Sequence, residues 1–166
     1  EFDKIKVIHD FLKSRNWNKG WHGFTTTNGT LVHGEIQEWL DENYETIEVY
    51  LSMDGTPEMH NRNRSNSYDM IDTAFFRKYF PFAKMTATPQ TLPQLAEGII
   101  SLHEQGFEVS CNLGEGISWP KECAGILAEQ MNLLSSYYLE HPDVPVSTIL
   151  RAGIEDLSPG TEHPRR

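Results

Sequence analysis

Apolar positions along this chain switch between two spacings. Stretches in which they recur every three or four residues alternate with short runs in which they recur every second residue, and no low-complexity linker interrupts the alternation. The first helical stretch runs from about Phe2 to Arg15, with Ile5, Ile8, Phe11 and Leu12 on one stripe, and ends at the Asn- and Gly-containing segment Asn16–Gly20. A strand over Gly23–Thr27 closes at Asn28-Gly29, and a helix follows over about Val32–Glu42. A second strand, Thr46–Met53, alternates Ile47, Val49 and Leu51 with more polar neighbours until Asp54-Gly55-Thr56-Pro57 breaks it. His60–Ser67 reads as a polar loop leading to a helix over Tyr68–Tyr79, which Pro81 stops. A third strand, Ala83–Thr88, precedes a helix capped by Thr91, with Pro93 in its first turn, that runs to Gln105. Phe107–Leu113 is the fourth strand. Pro120 then opens a long helix to about Glu140 with Ile126, Leu127, Met131, Leu134 and Tyr138 on its buried stripe. A short helix around Val146–Ile154 ends a core over residues 1–157, and residues 158–166 read as a flexible tail.

Four strands, each followed by a helix through short connections, imply parallel pairing and right-handed crossovers. The predicted class is therefore α/β, a partial (β/α) barrel with a parallel sheet of about four strands and outer helices. A complete eightfold barrel takes roughly 200–250 residues, and 166 residues supply only part of one. The missing strands would leave the inner sheet face open, which predicts exposed apolar surface and self-association. Fourteen Lys+Arg against 24 Asp+Glu give a net charge of −10, which removes the generic attraction to nucleic acid and to anionic membranes. No run approaches the roughly 18 apolar residues of a membrane span. Two cysteines, Cys111 and Cys123, without a CxxC pair, fit a reduced cytoplasmic protein and do not by themselves hold a zinc ion or an iron-sulfur cluster.

In parallel α/β sheets the chemistry sits at the carboxyl ends of the strands. Those ends are Thr27-Asn28-Gly29, Ser52-Met53-Asp54-Gly55, Thr86-Ala87-Thr88-Pro89 and Asn112-Leu113-Gly114-Glu115-Gly116, all polar or glycine-bearing. Segments of this kind also stop strands in proteins of every function. The second is the most telling, because Ser52 and Asp54 share one side of a strand end and His60-Asn61-Arg62-Asn63-Arg64 follows, a run able to bind anions or simply to sit solvated at the surface.

The ordered set Thr26-Thr27-Asn28-Gly29-Thr30-Leu31, then Leu51-Ser52-Met53-Asp54-Gly55 through His60-Asn61-Arg62, then Lys84-Met85-Thr86-Ala87-Thr88-Pro89 resembles the central part of radical S-adenosylmethionine enzymes, in particular the SPASM-type peptide and protein maturases related to anaerobic sulfatase-maturating enzymes. The likeness runs from about Glu1 to Trp119. It implies the third to sixth strands of a (β/α)6 radical S-adenosylmethionine core. A parent enzyme of this family would cleave S-adenosylmethionine reductively, using a [4Fe-4S] cluster, and abstract hydrogen from a peptide or protein. By the same resemblance Ser52 would hydrogen-bond the ribose, Asn28 and Asp54 would share its rim, and Asn112, Leu113 and Gly114 would lie near the adenine. Arg62, Arg64 and Arg77 all remain open for the methionyl carboxylate, and Lys84 stands where relatives often carry Arg. The CxxxCxxC loop and the Gly-Gly-Glu motif of the family are absent from the sequence, so the chain on its own is expected to be inactive.

Two other classes compete. A metal-dependent hydrolase or aldolase on a partial barrel needs clustered His and carboxylates, and of seven His only His60 directly follows a rim strand. A non-catalytic interaction module would use the acidic surface together with Trp17, Trp21, Trp39 or Trp119.

Overall fold

The computed structural model describes residues 1–155, with side chains to residue 151. The tail expected at 158–166 lies outside the described residues. In chain order the elements are α1 (Phe2–Lys13), β1 (Gly23–Thr27), α2 (Glu35–Asn43), β2 (Ile47–Ser52), α3 (Pro57–Asn63), α4 (Thr73–Tyr79), β3 (Phe82–Ala87), α5 (Leu95–Glu104), β4 (Glu108–Leu113), α6 (Cys123–Glu140) and α7 (Thr148–Glu155). The four strands form one sheet in the order β1-β2-β3-β4, and every neighbouring pair is parallel. This is the partial (β/α) barrel that the alternation predicts.

A parallel sheet covered on both faces reads as continuous apolar runs. Here burial alternates instead: Ile47, Val49 and Leu51 of β2 are buried between half-buried Glu48, Tyr50 and Ser52. Ala83, Met85 and Ala87 of β3, and Val109 and Cys111 of β4, share the buried face, where they join Met59, Phe76, Leu95, Ile99, Leu102 and Leu134 in the core. One face is thus packed on helices and the other is open. The open face was expected to be apolar. It is mostly polar, carrying Thr26, Glu48, Ser52, Lys84, Thr86, Ser110 and Asn112 at even strand positions, with Phe24, Tyr50 and Phe82 as its aromatic members.

The two sheet edges differ. At β4, the Thr148 hydroxyl accepts from the Cys111 N–H (3.0 Å) and donates to its carbonyl (3.1 Å), so the start of α7 closes the edge there. The edge strand β1 has no neighbour beyond it among the described residues.

Three local readings change. The first half of the expected His60–Ser67 loop is the end of α3, since Thr56 caps the Met59 N–H and Pro57 fills the first position; a helix of seven residues is too short to show its period in sequence. The helix expected from Tyr68 begins at Thr73, where the Asp72 carboxylate accepts from the Phe75 N–H, and Tyr68–Met70 is a single 3-10 turn. In α1 the expected stripe is not buried as a unit. His9 is the buried residue, edge-on to Trp21 and Trp39, while Ile8 and Phe11 are 60% and 51% exposed.

Candidate functional site

The carboxyl end of β2 is built around Asp54, whose side chain is 2% exposed. Its carboxylate accepts from Arg64 Nε (2.8 Å) and Nη2 (3.1 Å), from the Thr86 N–H (2.8 Å) and from Asn63 Nδ2 (3.3 Å). Four donors leave it no free direction for a ligand. The Asp54 N–H donates to His60 Nδ1 (3.3 Å), which places the ring proton on Nε2, facing the Ser67 hydroxyl at 3.1 Å. His60 is fully buried in this arrangement and therefore offers no open metal ligand.

Ser52 lies two residues before Asp54 on the open face, half-buried, and its hydroxyl makes no hydrogen bond among the described residues. The register sets Ser52 beside Lys84, and Lys84 beside Ser110; one residue past the Thr27–Leu51 pair, Asn28 comes level with Ser52. Lys84 is exposed, and its Nζ stands 5.6 Å from the centre of the Tyr50 ring. One row further on, Thr86 pairs with Asn112, whose exposed side chain is also unbonded among the described residues.

The remaining rim positions divide by geometry. The Asn28 side-chain Oδ1 folds the rim turn, accepting from the Thr30 N–H (3.3 Å) and hydroxyl (3.1 Å). Leu113 alternates onto the helix side of β4, where it lines a groove of about 240 Å³ with Leu92, Trp119 and Leu127. Gly114 is a bend: its carbonyl accepts from Trp119 Nε1 (3.0 Å), and an added Cβ would meet Ile117 at 2.8 Å, so its open side is already filled. Among the arginines, Arg64 is chelated by Asp54, and Arg77 packs beside Gly106 at the opposite end of the sheet. Arg62 reaches the rim, donating to the Gln90 carbonyl (3.3 Å). Sequence reasoning did not single out Asn63 and Thr86. No local signal marks them, because both act through the carboxylate of Asp54, 9 and 32 positions earlier in the chain.

Burial pushes the His60 imidazole below its ordinary value, against a smaller upward pull from Asp54. His103 is lowered in the same way; its ring bridges the Phe107 carbonyl (2.9 Å) and the Tyr138 hydroxyl (2.8 Å). A histidine whose folded pKa is lowered binds its proton in the unfolded chain first, so stability is lost as pH falls below 6.5. We expect urea unfolding at pH 5.5 to give a lower stability than at pH 7.5, with a slope of up to about 1.4 kcal/mol per pH unit for each histidine. His60→Gln should flatten this dependence, and an unchanged profile would assign it to other groups.

The donor set does not fit an iron-sulfur cluster. Both cysteines are buried, and burial raises the Cys111 thiol to about 12, far from the thiolate a cluster requires. Among the described residues no three His, Cys, Asp or Glu side chains come together as a metal site. No described helix is long and apolar enough to cross a membrane.

A sheet of four parallel strands in sequential order, with helices between them, defines a class of architecture, the partial (β/α) barrel. Among solved structures, that architecture recurs in the anaerobic sulfatase-maturating enzyme anSMEcpe, a radical S-adenosylmethionine enzyme. The native enzyme with bound AdoMet superposes at a TM-score of 0.70 and 20% identity over 89% of this chain and 45% of that one. The same enzyme with AdoMet and the Cp18Cys peptide gives 0.73 and 18% over 96% and 50%. The chain therefore shares that fold while spanning about half the length of these relatives. No protein-family model and no curated protein sequence matches it.

Proposed function

We propose that the chain is the central part of a radical S-adenosylmethionine maturase core, and that its open face binds the adenosyl portion of S-adenosylmethionine. The observation that carries this reading is the unbonded Ser52 hydroxyl, held at a strand end beside Lys84 and above a saturated Asp54. In this reading Ser52 donates to or accepts from a ribose hydroxyl, and Asn112 presents its amide to the base. Lys84 supplies the one cation in the Ser52 row and stands ready for a carboxylate. Asp54 acts from behind the site, and Leu113 faces the helix layer. In a longer enzyme the bound molecule would supply a hydrogen-abstracting radical to act on a peptide or protein. The residues of this chain bind and orient it.

A few hydrogen bonds worth about 1 kcal/mol each stand against an association cost of roughly 4 kcal/mol or more. Affinity in the 166-residue chain should therefore be millimolar or weaker. Saturation-transfer NMR with S-adenosylmethionine should show contacts to ribose and adenine protons that vanish in Ser52→Ala. Equal signals from the wild type and that variant would overturn the assignment.

Self-association, in this reading, runs through the exposed apolar residues on and beside β1 and not through the polar rows of Ser52 and Thr86. Phe24 and Leu31 are 77% and 76% exposed, and Ile8, Phe11 and Trp17 add to the same flank. A cavity of about 490 Å³ lined by Phe2, Ile5, Ile36 and Trp39 opens beside them. Sedimentation velocity should show concentration-dependent association that Phe24→Lys suppresses and Lys84→Glu does not. Monomeric behaviour at high concentration would count against it.

A further inference from the structure

The β2–β3 seam is shorter than its neighbours. β1 pairs with β2 at five positions and β3 with β4 at six, but β2 meets β3 only at Leu51–Ala83 and Ser52–Lys84. One further backbone bond, from the Met53 N–H to the Lys84 carbonyl at 3.0 Å, ends the ladder. In a parallel strand, alternate residues turn both backbone groups to the same neighbour. Because Lys84 faces β2, Thr86 does as well, and a longer β2 would have paired with it.

Side chains take that rung instead. Asp54 Oδ1 accepts the Thr86 N–H at 2.8 Å, and Asn63 Nδ2 donates to the Thr86 carbonyl at 3.2 Å. The substitution is braced from behind by the Arg64 chelate on Asp54, and Asn63 Oδ1 accepts from the Thr88 hydroxyl at 3.3 Å. Both Thr86 backbone groups are thus satisfied although β2 has ended, which leaves no orphan donor or acceptor at that rung. Without the carboxylate, the Thr86 N–H has only water or the β2 backbone to turn to.

We propose that Asp54, Arg64 and Asn63 form a positioning wedge seated between the carboxyl ends of β2 and β3, which takes the backbone rung left at Thr86 where β2 stops and so fixes Ser52 beside it for contact with the ribose. None of the three touches the ligand. The ligand part rests on the reading under Proposed function, whereas the wedge itself does not.

The test uses the ¹⁵N-labelled 166-residue chain. Its first arm is amide hydrogen exchange, in which the Thr86 N–H should be protected in the wild type although it has no backbone partner. Asp54→Ala should speed Thr86 exchange at least about tenfold while Val49 and Met85 keep their protection. Asn63→Ala, which frees only the carbonyl, should leave it within about threefold. Arg64→Lys keeps the charge and loses the chelate, and should fall between; it carries the test if Asp54→Ala does not fold.

The second arm is the saturation-transfer signal of S-adenosylmethionine, which Asp54→Ala should abolish with Ser52 intact and Asn63→Ala should weaken. Unchanged Thr86 exchange in Asp54→Ala, or in Arg64→Lys where that variant has to stand in, overturns the wedge. Lost Thr86 protection with an undiminished ligand signal overturns its positioning role. A wild-type chain with no ligand signal removes the functional reading, while the exchange arm still decides the wedge.

Discussion

Replacing Gly55 with alanine will destabilise the chain more than any other single methyl addition in the rim. Gly55 follows Asp54 with φ at +63°, in the left-handed region, where a side chain costs about 1–2 kcal/mol. An added Cβ would lie 2.7 Å from Met59 Sδ and 2.9 Å from the Gly98 Cα of α5. The thioether can shift, but the second contact is backbone, and Gly98 in turn already leaves its own Cβ space to Met59 at 2.8 Å. Overpacking of this kind costs about 1–3 kcal/mol more. A total of about 2–5 kcal/mol is a large share of the roughly 5–15 kcal/mol that holds a domain together. Urea denaturation should show the midpoint falling sharply with an unchanged slope, or no folded baseline at all. Gly125→Ala in α6, with nothing within 4 Å, is the control and should gain up to about 1 kcal/mol. A Gly55→Ala variant as stable as the wild type would mean that the close approach between the rim and α5 is not real.

The same stretch shows how much of the molecule can be read in its sequence. β2 was legible because Ile47, Val49 and Leu51 keep a strict period of two, and parallel pairing followed from the helices between strands. The helix α3 was not, because Thr56-Pro57 after Asp54-Gly55 looks like the end of a strand, whereas it is equally the cap and first position of a helix. Ser52 and Asp54 look alike as polar residues at one strand end. Only burial separates them: one hydroxyl stays free on the open face, and one carboxylate is closed in by residues 9 to 32 positions further along the chain. That distance is also why the three arginines were indistinguishable. Arg64 is assigned by a partner, Arg77 by the end of the sheet it occupies, and neither property has a local signature. In α1 the stripe of Ile5, Ile8, Phe11 and Leu12 was a correct reading of helical period. Exposure of Ile8 and Phe11 reflects what lies beyond β1, which no periodicity reports.

Anaerobic reconstitution with iron and sulfide will leave this 166-residue chain without a cluster, and dithionite with S-adenosylmethionine will yield no 5′-deoxyadenosine. A site-differentiated [4Fe-4S] cluster needs three thiolates brought together, and the sequence has two cysteines. Cys111 sits on the helix face of β4 with its thiol raised to about 12 by burial and by the nearby Asp54 charge, so forming the thiolate at neutral pH is strongly uphill. Cys123 opens α6, buried among the apolar residues of the core. Exposing either to iron would mean opening the core that Val109, Leu134 and Tyr138 close. Without the cluster, the amino and carboxylate groups of S-adenosylmethionine would have no metal to chelate, which would leave only the weak contacts proposed for Ser52, Asn112 and Lys84. A longer enzyme that contains this core together with a cysteine loop should bind iron and form 5′-deoxyadenosine, and should lose that activity on Ser52→Ala while keeping its iron. Stoichiometric iron in the 166-residue chain, removed by Cys111→Ala, would show that β4 opens readily and would undo this account of the rim.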